Sequence, residues 1–281
     1  MNRMRSVQIY AAAILILGCT VAGAAELSLP DTRVEFLQSR ANSVPYKLYV
    51  SLPRGYAASK ATYPVLYLLD ADYSFPIVRG IVQHLSDRNR LRPMILVGIA
   101  YGGPDLYRLN RTRDYTPHFS PAGGYGPEYQ KVSGGGPRFL QFLREELFPW
   151  VDRSFRTSPG LRGLSGHSYG GLFSNWVLLT APETFSHYIV VSPSLWYADR
   201  FMFDLEKKTR APNARARVYL AVGAREGNAQ HDMVTDLRRM ARALAGRKTH
   251  AVKHEVFDDE THDSVFPTAV SRGIRFLFEG D

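Results

Sequence analysis

The 281-residue sequence predicts an α/β fold in which helices cover both faces of a mostly parallel sheet. Short apolar runs alternate with amphipathic segments along the chain, as expected when strands and helices follow one another. Several of these runs are continuously apolar, which is typical of strands buried on both faces. In the segment GLSGHSYGG, at residues 163–171, a strand end, a Gly-rich turn and a helix start follow directly on one another.

The predicted strands begin with VPYKLYVSLP at residues 44–53, where alternating apolar residues indicate a half-exposed antiparallel strand. YPVLYLLDA and RPMILVGIA, at residues 63–71 and 92–100, are continuous apolar runs and predict buried strands. The series continues with further predicted strands at 160–168, 187–194, 216–224 and 250–258.

Amphipathic segments between these runs predict helices. In PRFLQFLREELFPWVDRSF, the apolar side chains of Phe139, Leu143, Leu147 and Trp150 recur at helical spacing and share one face. Further helices are predicted for LFSNWVLLT, directly after the Gly-rich turn, for residues 233–246, where Gly246 is a helix stop, and for residues 264–280.

Residues 101–137 interrupt this alternation with a long stretch rich in Gly, Pro and Tyr. A stretch of this length within a compact domain is usually a lid, a binding loop or a disordered segment. We interpret it as a binding loop because tyrosines are contact residues and have little use in a mobile linker.

Residues 1–25 have the pattern of a secretory signal peptide. A basic start containing Arg3 and Arg5 precedes the short apolar run YAAAILILG and the small residues Ala22-Gly23-Ala24. The apolar run is too short to span a bilayer. We therefore expect a periplasmic or secreted protein with no stable membrane span in its mature form, in which residues 26–281 form a single α/β domain.

Cys19 is the only cysteine and lies inside this leader. The preceding Ile16-Leu17-Gly18 also resembles a lipoprotein signal, although Leu17 is larger than the residue usual at that position. A lipidated product is therefore the alternative to a soluble one. In either case the mature chain has no thiol that could pair, which excludes a disulfide framework and a Cys-ligated metal site.

The formal net charge of +9 becomes +7 without Arg3 and Arg5. A basic surface favours anionic small molecules, membranes or nucleic acid as partners. The Lys and Arg residues are scattered, however, and form no block of the kind that binds nucleic acid. We expect a small-molecule partner and no nucleic acid.

Ser168 lies at the centre of the Gly-x-Ser-x-Gly pattern in GLSGHSYGG. A serine between a strand and a helix, with Gly166 and Gly170 two residues away on either side, matches the nucleophile elbow of α/β-hydrolases. The small flanking residues are required because their backbones nearly touch in this sharp turn. The sequence therefore predicts an α/β-hydrolase fold with Ser168 as the nucleophile.

A serine hydroxyl needs a base, which follows it in the chain in this architecture. His262, in DDETHDSVFP, comes after the last predicted strand and before the last helix, and is the predicted base; His231 is the competitor. Glu226 follows the preceding strand directly and is the predicted acid. Asp258 and Asp259 are alternatives that lie closer to His262 in the sequence.

Two backbone N–H groups are expected to bind the oxyanion. One belongs to Tyr169, the residue after the nucleophile, and the other to Asp72 in LLDADYSF, with Ala71 as the second choice. Asp70 and Asp72 also suggest a cation site, but no histidine or further carboxylate clusters with them in the sequence. No metal site is predicted.

Several of these stretches are similar to the putative esterase family of α/β-hydrolases, within it to the branch of trilactone esterases that open ferric enterobactin, salmochelin and bacillibactin. The similarity covers nearly all of residues 26–281 and is carried by PVLYLLDADYSF, RTRDYTP, GGGPRFLQFLREELFPWVDRSFRT, GLSGHSYGGLFSNWVLL, VVSPSLWY and ETHDSVFPTAVSRGIRFLF. RDYTP, the Gly-rich start of the long helix and SPSLWY are specific to that branch.

This resemblance implies ester hydrolysis by Ser168 and His262 without a cofactor. It also implies Asp72 and Tyr169 as oxyanion donors and Trp196 as a residue lining the site. Some relatives work with a Ser–His pair, so the resemblance leaves open whether Glu226 takes part.

Three features favour a catecholate siderophore as substrate: export, the net positive charge, and a Tyr-rich segment containing Arg111 and Arg113. Iron would enter only as part of this substrate. The alternatives are a small-acyl carboxylesterase, an acyltransferase on the same fold and a non-catalytic siderophore-binding protein. A binding protein is expected to have lost Ser168 or His262, and both are present.

Overall fold

The central sheet is parallel over most of its width. The computed structural model describes residues 28–101, 104–209, 214–227 and 231–278; the predicted leader, including Cys19, lies outside them. The strands are β1 (Thr32–Gln38), β2 (Pro45–Ser51), β3 (Tyr63–Leu68), β4 (Ile95–Ala100), β5 (Thr157–His167), β6 (His187–Val191), β7 (Arg217–Gly223) and β8 (Ala251–Phe257). Their order in the sheet is β1-β2-β4-β3-β5-β6-β7-β8.

The direction of pairing changes once across the sheet. β2 runs antiparallel to both β1 and β4, whereas β4, β3, β5, β6, β7 and β8 are parallel to one another. The carboxyl ends of these parallel strands therefore meet at one edge of the sheet, which is where open α/β sheets place their sites. The α/β-hydrolase architecture predicted from the sequence is confirmed.

Helices connect the strands and pack on the sheet. They are α1 (Ala71–Ser86), α2 (Pro104–Tyr115), α3 (Pro127–Gln130), α4 (Gly136–Phe142), α5 (Phe148–Ser154), α6 (Tyr169–Thr180), α7 (Tyr197–Lys208), α8 (Met233–Gly246) and α9 (Val265–Phe278). A π-helical turn at Leu143–Leu147 joins α4 to α5, where Pro149 cannot donate a backbone N–H to the preceding turn.

The two faces of the sheet carry separate apolar cores. Val65 and Tyr67 of β3 face one core, which also contains apolar side chains of α4, α6, α7 and α8. Leu66 and Leu68 of the same strand face the other core, built with α1 and α9. β3 is buried along its whole length, so its continuous apolar run follows from burial on both faces.

The predicted strands are all found, with ends that differ by a few residues. β2 alternates as expected, since Tyr46, Leu48 and Val50 are buried on one face. The prediction did not include β1, α1 or α7. In α7, Ala198, Asp199 and Arg200 have positive φ angles of 47°, 54° and 60°, and this irregularity explains why no helical period marks its start.

The prediction of a long loop at residues 101–137 is wrong, because α2 and α3 lie within it. Residues 105–115, DLYRLNRTRDY, contain neither Gly nor Pro, and Pro104 occupies the first helical position, where its missing N–H costs nothing. Arg111, Thr112 and Tyr115 of this helix are buried, so packing stabilises it. In the described part of the chain no helix is both long and apolar enough to cross a membrane.

Candidate active site

Ser168 sits in a strained turn between β5 and α6. Its φ and ψ angles are 59° and −117°, a conformation that side-chain-bearing residues rarely adopt and that is held only where the surroundings fix it. The turn is fixed by backbone hydrogen bonds: Ser168 N–H donates to the Val191 carbonyl at 3.0 Å, and the Ser168 carbonyl accepts from Leu172 N–H at 2.9 Å. This is the geometry of a nucleophile elbow.

Of the two glycines that flank Ser168, Gly166 has no room for a side chain. A Cβ atom at Gly166 would lie 2.3 Å from the Gly170 carbonyl oxygen. At Gly170 the nearest atoms to such a Cβ, in Leu69 and Asp70, are 3.4 Å away, which is close to ordinary contact. The turn therefore requires glycine mainly at position 166, where a Cβ atom has no space.

His262 and Glu226 meet at the carboxyl edge of the sheet. Glu226 follows β7 and is 5% exposed, and His262 lies between β8 and α9. His262 Nδ1 is 2.7 Å from Glu226 Oε2. Because the carboxylate can only accept, Nδ1 carries a proton, and in a neutral imidazole with this tautomer Nε2 is the acceptor.

The other oxygen of Glu226 is also fully engaged. Oε1 accepts a hydrogen bond from the Ser192 hydroxyl at 2.7 Å and one from Gly223 N–H at 2.7 Å. These donors fix the carboxylate and compensate for its burial. Glu226 is thus held rigidly against His262.

His167, inside the Gly-x-Ser-x-Gly pattern, holds the His262 segment through a hydrogen bond. Its Nε2 donates to the His262 carbonyl at 2.9 Å, so its Nδ1 accepts from the Tyr73 hydroxyl at 3.0 Å. The two imidazole rings lie 4.6 Å apart. Burial, with smaller contributions from His262 and Arg111, lowers the pKa of His167 well below its usual range. His167 is therefore a neutral, structural imidazole.

Ser168 and His262 open into a cavity of about 680 Å³. Its walls are largely aromatic, with Tyr73, Tyr107, Tyr125, Tyr169, Trp196 and Phe266 among the lining residues. The charged side chains on the lining are Arg108, Arg111 and Asp263. A volume of this size accepts a ligand with several rings, and its walls suit flat aromatic groups.

The predicted oxyanion donors belong to two neighbouring helix N-termini. Tyr169 is the first residue of α6 and borders the cavity, while Ala71 and Asp72 begin α1 after the adjacent strand β3. The first N–H groups of a helix have no acceptor within it and carry partial positive charge. The Asp72 carboxylate accepts the Tyr101 N–H at 2.8 Å, so this side chain has a structural partner.

Arg111 and Arg113, both predicted to bind substrate, have different surroundings. Arg111 borders the cavity but is 3% exposed and forms a two-point ion pair with Asp70, at 3.0 and 3.1 Å. Arg113 forms a two-point pair with the buried Asp114, at 2.7 and 3.0 Å, and is not among the cavity-lining residues. Two positions apart on a helix correspond to nearly opposite faces, so the structure does not bring Arg113 to the cavity.

Arg108 is a cavity cation that the sequence reasoning missed. It is exposed, and its guanidinium lies 5.9 Å from the centre of the Tyr125 ring. Within the part of the chain that the structure describes, it takes part in no ion pair with a carboxylate. Its position three residues before Arg111 on α2 puts it on the same helix face, a signal available only once the helix is recognised.

The remaining predicted residues occupy distinct places. Trp196 lines the cavity, and its ring stacks on His231 at 4.4 Å. Asp259 forms an ion pair with Arg225 and is 89% exposed. Asp258 is exposed as well. The structure thus brings Ser168, His262, Glu226, Tyr169, Trp196 and Arg111 together and leaves the alternative acids outside.

Known proteins resemble this chain in both sequence and structure. A family model described as Putative esterase matches residues 39–267. Ferri-bacillibactin esterase BesA of Bacillus subtilis is 31% identical over 273 residues, which cover 90% of this chain and 92% of BesA. An IroE-like serine hydrolase from Shewanella oneidensis has 30% identity and a TM-score of 0.75, over 88% of this chain and 80% of that one. Siderophore hydrolase EstA from Aspergillus nidulans has 25% identity and a TM-score of 0.80, over 91% of this chain and 98% of EstA.

The tight contact at Gly166 predicts a large effect of a single methyl group. Gly166→Ala is expected to lower the free energy of unfolding by about 1–3 kcal/mol, because the turn must open to admit Cβ. Gly160→Ala is the control in the same strand, since nothing lies within 4 Å of that position. Urea unfolding measures both variants, and equal stability of the two would contradict this account of the turn.

The buried neutral His167 predicts a loss of stability in acid. Below pH 6.5 the unfolded chain binds a proton at this residue and the folded chain does not. The free energy of unfolding therefore decreases by up to about 1.4 kcal/mol for each unit by which the pH is lowered. His167→Gln is expected to remove this part of the slope between pH 6.5 and 5. Urea titrations at several pH values measure it, with the exposed His254→Gln as control. Parallel slopes in wild type and His167→Gln would refute the prediction.

Proposed function

The chain belongs to the Putative esterase family of α/β-hydrolases and is a serine ester hydrolase, and we propose that it opens the ester backbone of catecholate siderophores. One observation carries the substrate proposal: Ser168 and His262 open into a large aromatic cavity that also contains cationic side chains. BesA, a relative of 31% identity, is a ferri-bacillibactin esterase.

In the proposed acylation step, His262 Nε2 accepts the proton of the Ser168 hydroxyl as its oxygen attacks the ester carbonyl. Glu226 keeps Nδ1 protonated through the 2.7 Å hydrogen bond and stabilises the imidazolium that forms. Backbone N–H groups at the start of α6 and α1, including those of Tyr169 and Asp72, bind the oxyanion. Collapse of the intermediate breaks the ester C–O bond, and His262 protonates the leaving alcohol.

In the proposed deacylation step, water takes the place of the alcohol. His262 Nε2 accepts a proton from water as its oxygen attacks the acyl carbon. The bond to Ser168 then breaks, the proton returns to the serine oxygen, and a carboxylic acid is released. For a trilactone, repetition of this cycle gives shorter linear products.

Substrate recognition is proposed to combine ring stacking with charge. Trp196 and the cavity tyrosines offer flat faces to catechol rings. The Arg111 charge is already compensated by Asp70, and Arg111 therefore contributes hydrogen bonding and shape more than net charge. Arg108 provides the positive charge that an anionic ferric chelate needs, at the exposed side of the cavity.

We also propose that the protein acts outside the cytoplasm after removal of residues 1–25. The proposal rests on the basic start, the short apolar run and the small residues at Ala22-Gly23-Ala24.

Replacement of the nucleophile tests the proposed reaction. Ser168→Ala is expected to abolish opening of ferric and iron-free enterobactin and hydrolysis of p-nitrophenyl butyrate, with a loss of at least about a thousandfold. Ser165→Ala, a buried serine of the same strand, is the matched control and is expected to keep its activity. Mass analysis identifies the products. Turnover of the butyrate alone by the wild type would leave a general esterase, and trilactone opening by Ser168→Ala would refute the mechanism.

Neutralising Arg108 tests the recognition of charge. Arg108→Gln is expected to raise KM for a ferric catecholate about fivefold, the effect of losing one partly solvated ion pair. The KM for the uncharged p-nitrophenyl butyrate is expected to stay constant, and Arg108→Lys to retain most of the affinity. Steady-state kinetics on both substrates at two salt concentrations measure this. A similar change on both substrates would contradict a charge-selective role.

A further inference from the structure

Ser194 lies beside the nucleophile at the turn that follows β6. Its side chain is almost completely buried, and its Oγ is 3.3 Å from Ser168 Oγ. Its backbone N–H donates to the Ser168 carbonyl at 3.1 Å. Ser194 therefore contacts the nucleophilic residue through both its backbone and its hydroxyl.

The turn that carries Ser194 is held firmly in place. Ser192 N–H donates to the Ala221 carbonyl at 2.7 Å, and the Ser192 hydroxyl donates to Glu226. Pro193 packs so closely on α6 that a Cβ atom at Gly171 would lie 2.9 Å from its Cα. One rigid turn thus contacts the acid through Ser192 and the nucleophile through Ser194.

The direction of the hydrogen bond between the two serines follows from the chemistry. When Ser168 gives its proton to His262, its oxygen has only lone pairs to offer. A hydroxyl within hydrogen-bond distance must then donate, so Ser194 Oγ–H points at Ser168 Oγ during the reaction. The proton of Ser194 stays on Ser194 throughout.

We propose that Ser194 is a further catalytic residue, whose hydroxyl stabilises the negative charge that develops on Ser168 Oγ. This role rests on the proposed serine mechanism. The charge develops as the Oγ–H bond breaks during attack on the ester, and again as the acyl C–O bond to Ser168 breaks during deacylation. A donated hydrogen bond strengthens when its acceptor becomes ionised, so Ser194 stabilises both transition states more than the ground state.

Other buried serines near the elbow lack this contact. The Ser174 hydroxyl, on α6, donates to the Gly170 carbonyl at 2.8 Å, which is a hydrogen bond to the backbone of its own helix. Ser174 is fully buried and loses one hydrogen bond when replaced by Ala, as Ser194 does. It is therefore a matched control for burial and for the loss of a hydroxyl.

The test compares Ser194→Ala and Ser174→Ala with the wild type in two reactions. The first is inactivation by diisopropyl fluorophosphate, which reports attack by Ser168 alone. The second is steady-state hydrolysis of p-nitrophenyl butyrate, which includes deacylation. For Ser194→Ala we expect both the inactivation rate and kcat to fall about tenfold, as when one hydrogen bond to an ionising oxygen is lost. KM is expected to stay within about twofold.

The pH profile of kcat/KM separates a catalytic role from a structural one. Its acidic limb is expected at the same pH in wild type and Ser194→Ala. Ser174→Ala is expected to react at nearly the wild-type rate in both assays. Wild-type rates in Ser194→Ala, or a rise in KM with unchanged kcat, would overturn the role of Ser194. Failure of the wild type itself to hydrolyse esters and to be inactivated would instead contradict the serine mechanism.

Discussion

The left-handed turn at Ser168 is the constraint around which the site is arranged. The turn exists because Gly166 lets the backbone pass the Gly170 carbonyl, and because hydrogen bonds to Val191 and Leu172 hold its ends. It lifts the serine hydroxyl above the carboxyl edge of the sheet and starts α6 immediately beneath it. The serine hydroxyl and a helix N-terminus are thereby presented together, and Glu226 and His262 lie at the same edge, in the segments after β7 and β8.

The buried carboxylates of Glu226, Asp70 and Asp114 all accept hydrogen bonds from neighbouring groups. Glu226 accepts from His262, Ser192 and Gly223, and Asp70 is held by Arg111. Asp114 accepts from Arg113 and from the hydroxyls of Tyr46 and Tyr101. Burial of a charge is costly unless it is paired and hydrogen-bonded. Arg111 and Arg113 therefore pair with the buried carboxylates of Asp70 and Asp114, whereas Arg108 is exposed at the cavity.

Parts of the fold were predictable because local pattern and burial agree there. β3 and β4 are buried along their length and form continuous apolar runs in the sequence, and α4 with the π-helical turn after it buries one apolar face that contains Phe139 and Leu143. α2 was missed because its sequence is polar and lies among Gly-rich segments, and its stability comes from buried contacts such as the Arg111–Asp70 pair. Those contacts join residues far apart in the chain, which no local period reveals.

The sequence by itself determined strands β2 to β8, the elbow around Ser168 and the positions after β7 and β8 that carry Glu226 and His262. Each of these depends on neighbours in the chain: a Gly-x-Ser-x-Gly turn, or a polar residue directly after an apolar run. The tertiary structure alone decided that Arg108 and Arg111 line the cavity and Arg113 does not, that His167 hydrogen-bonds to the His262 segment, and that Ser194 reaches Ser168. These contacts depend on how separate elements pack, because side chains that are distant in sequence meet only when the sheet has formed.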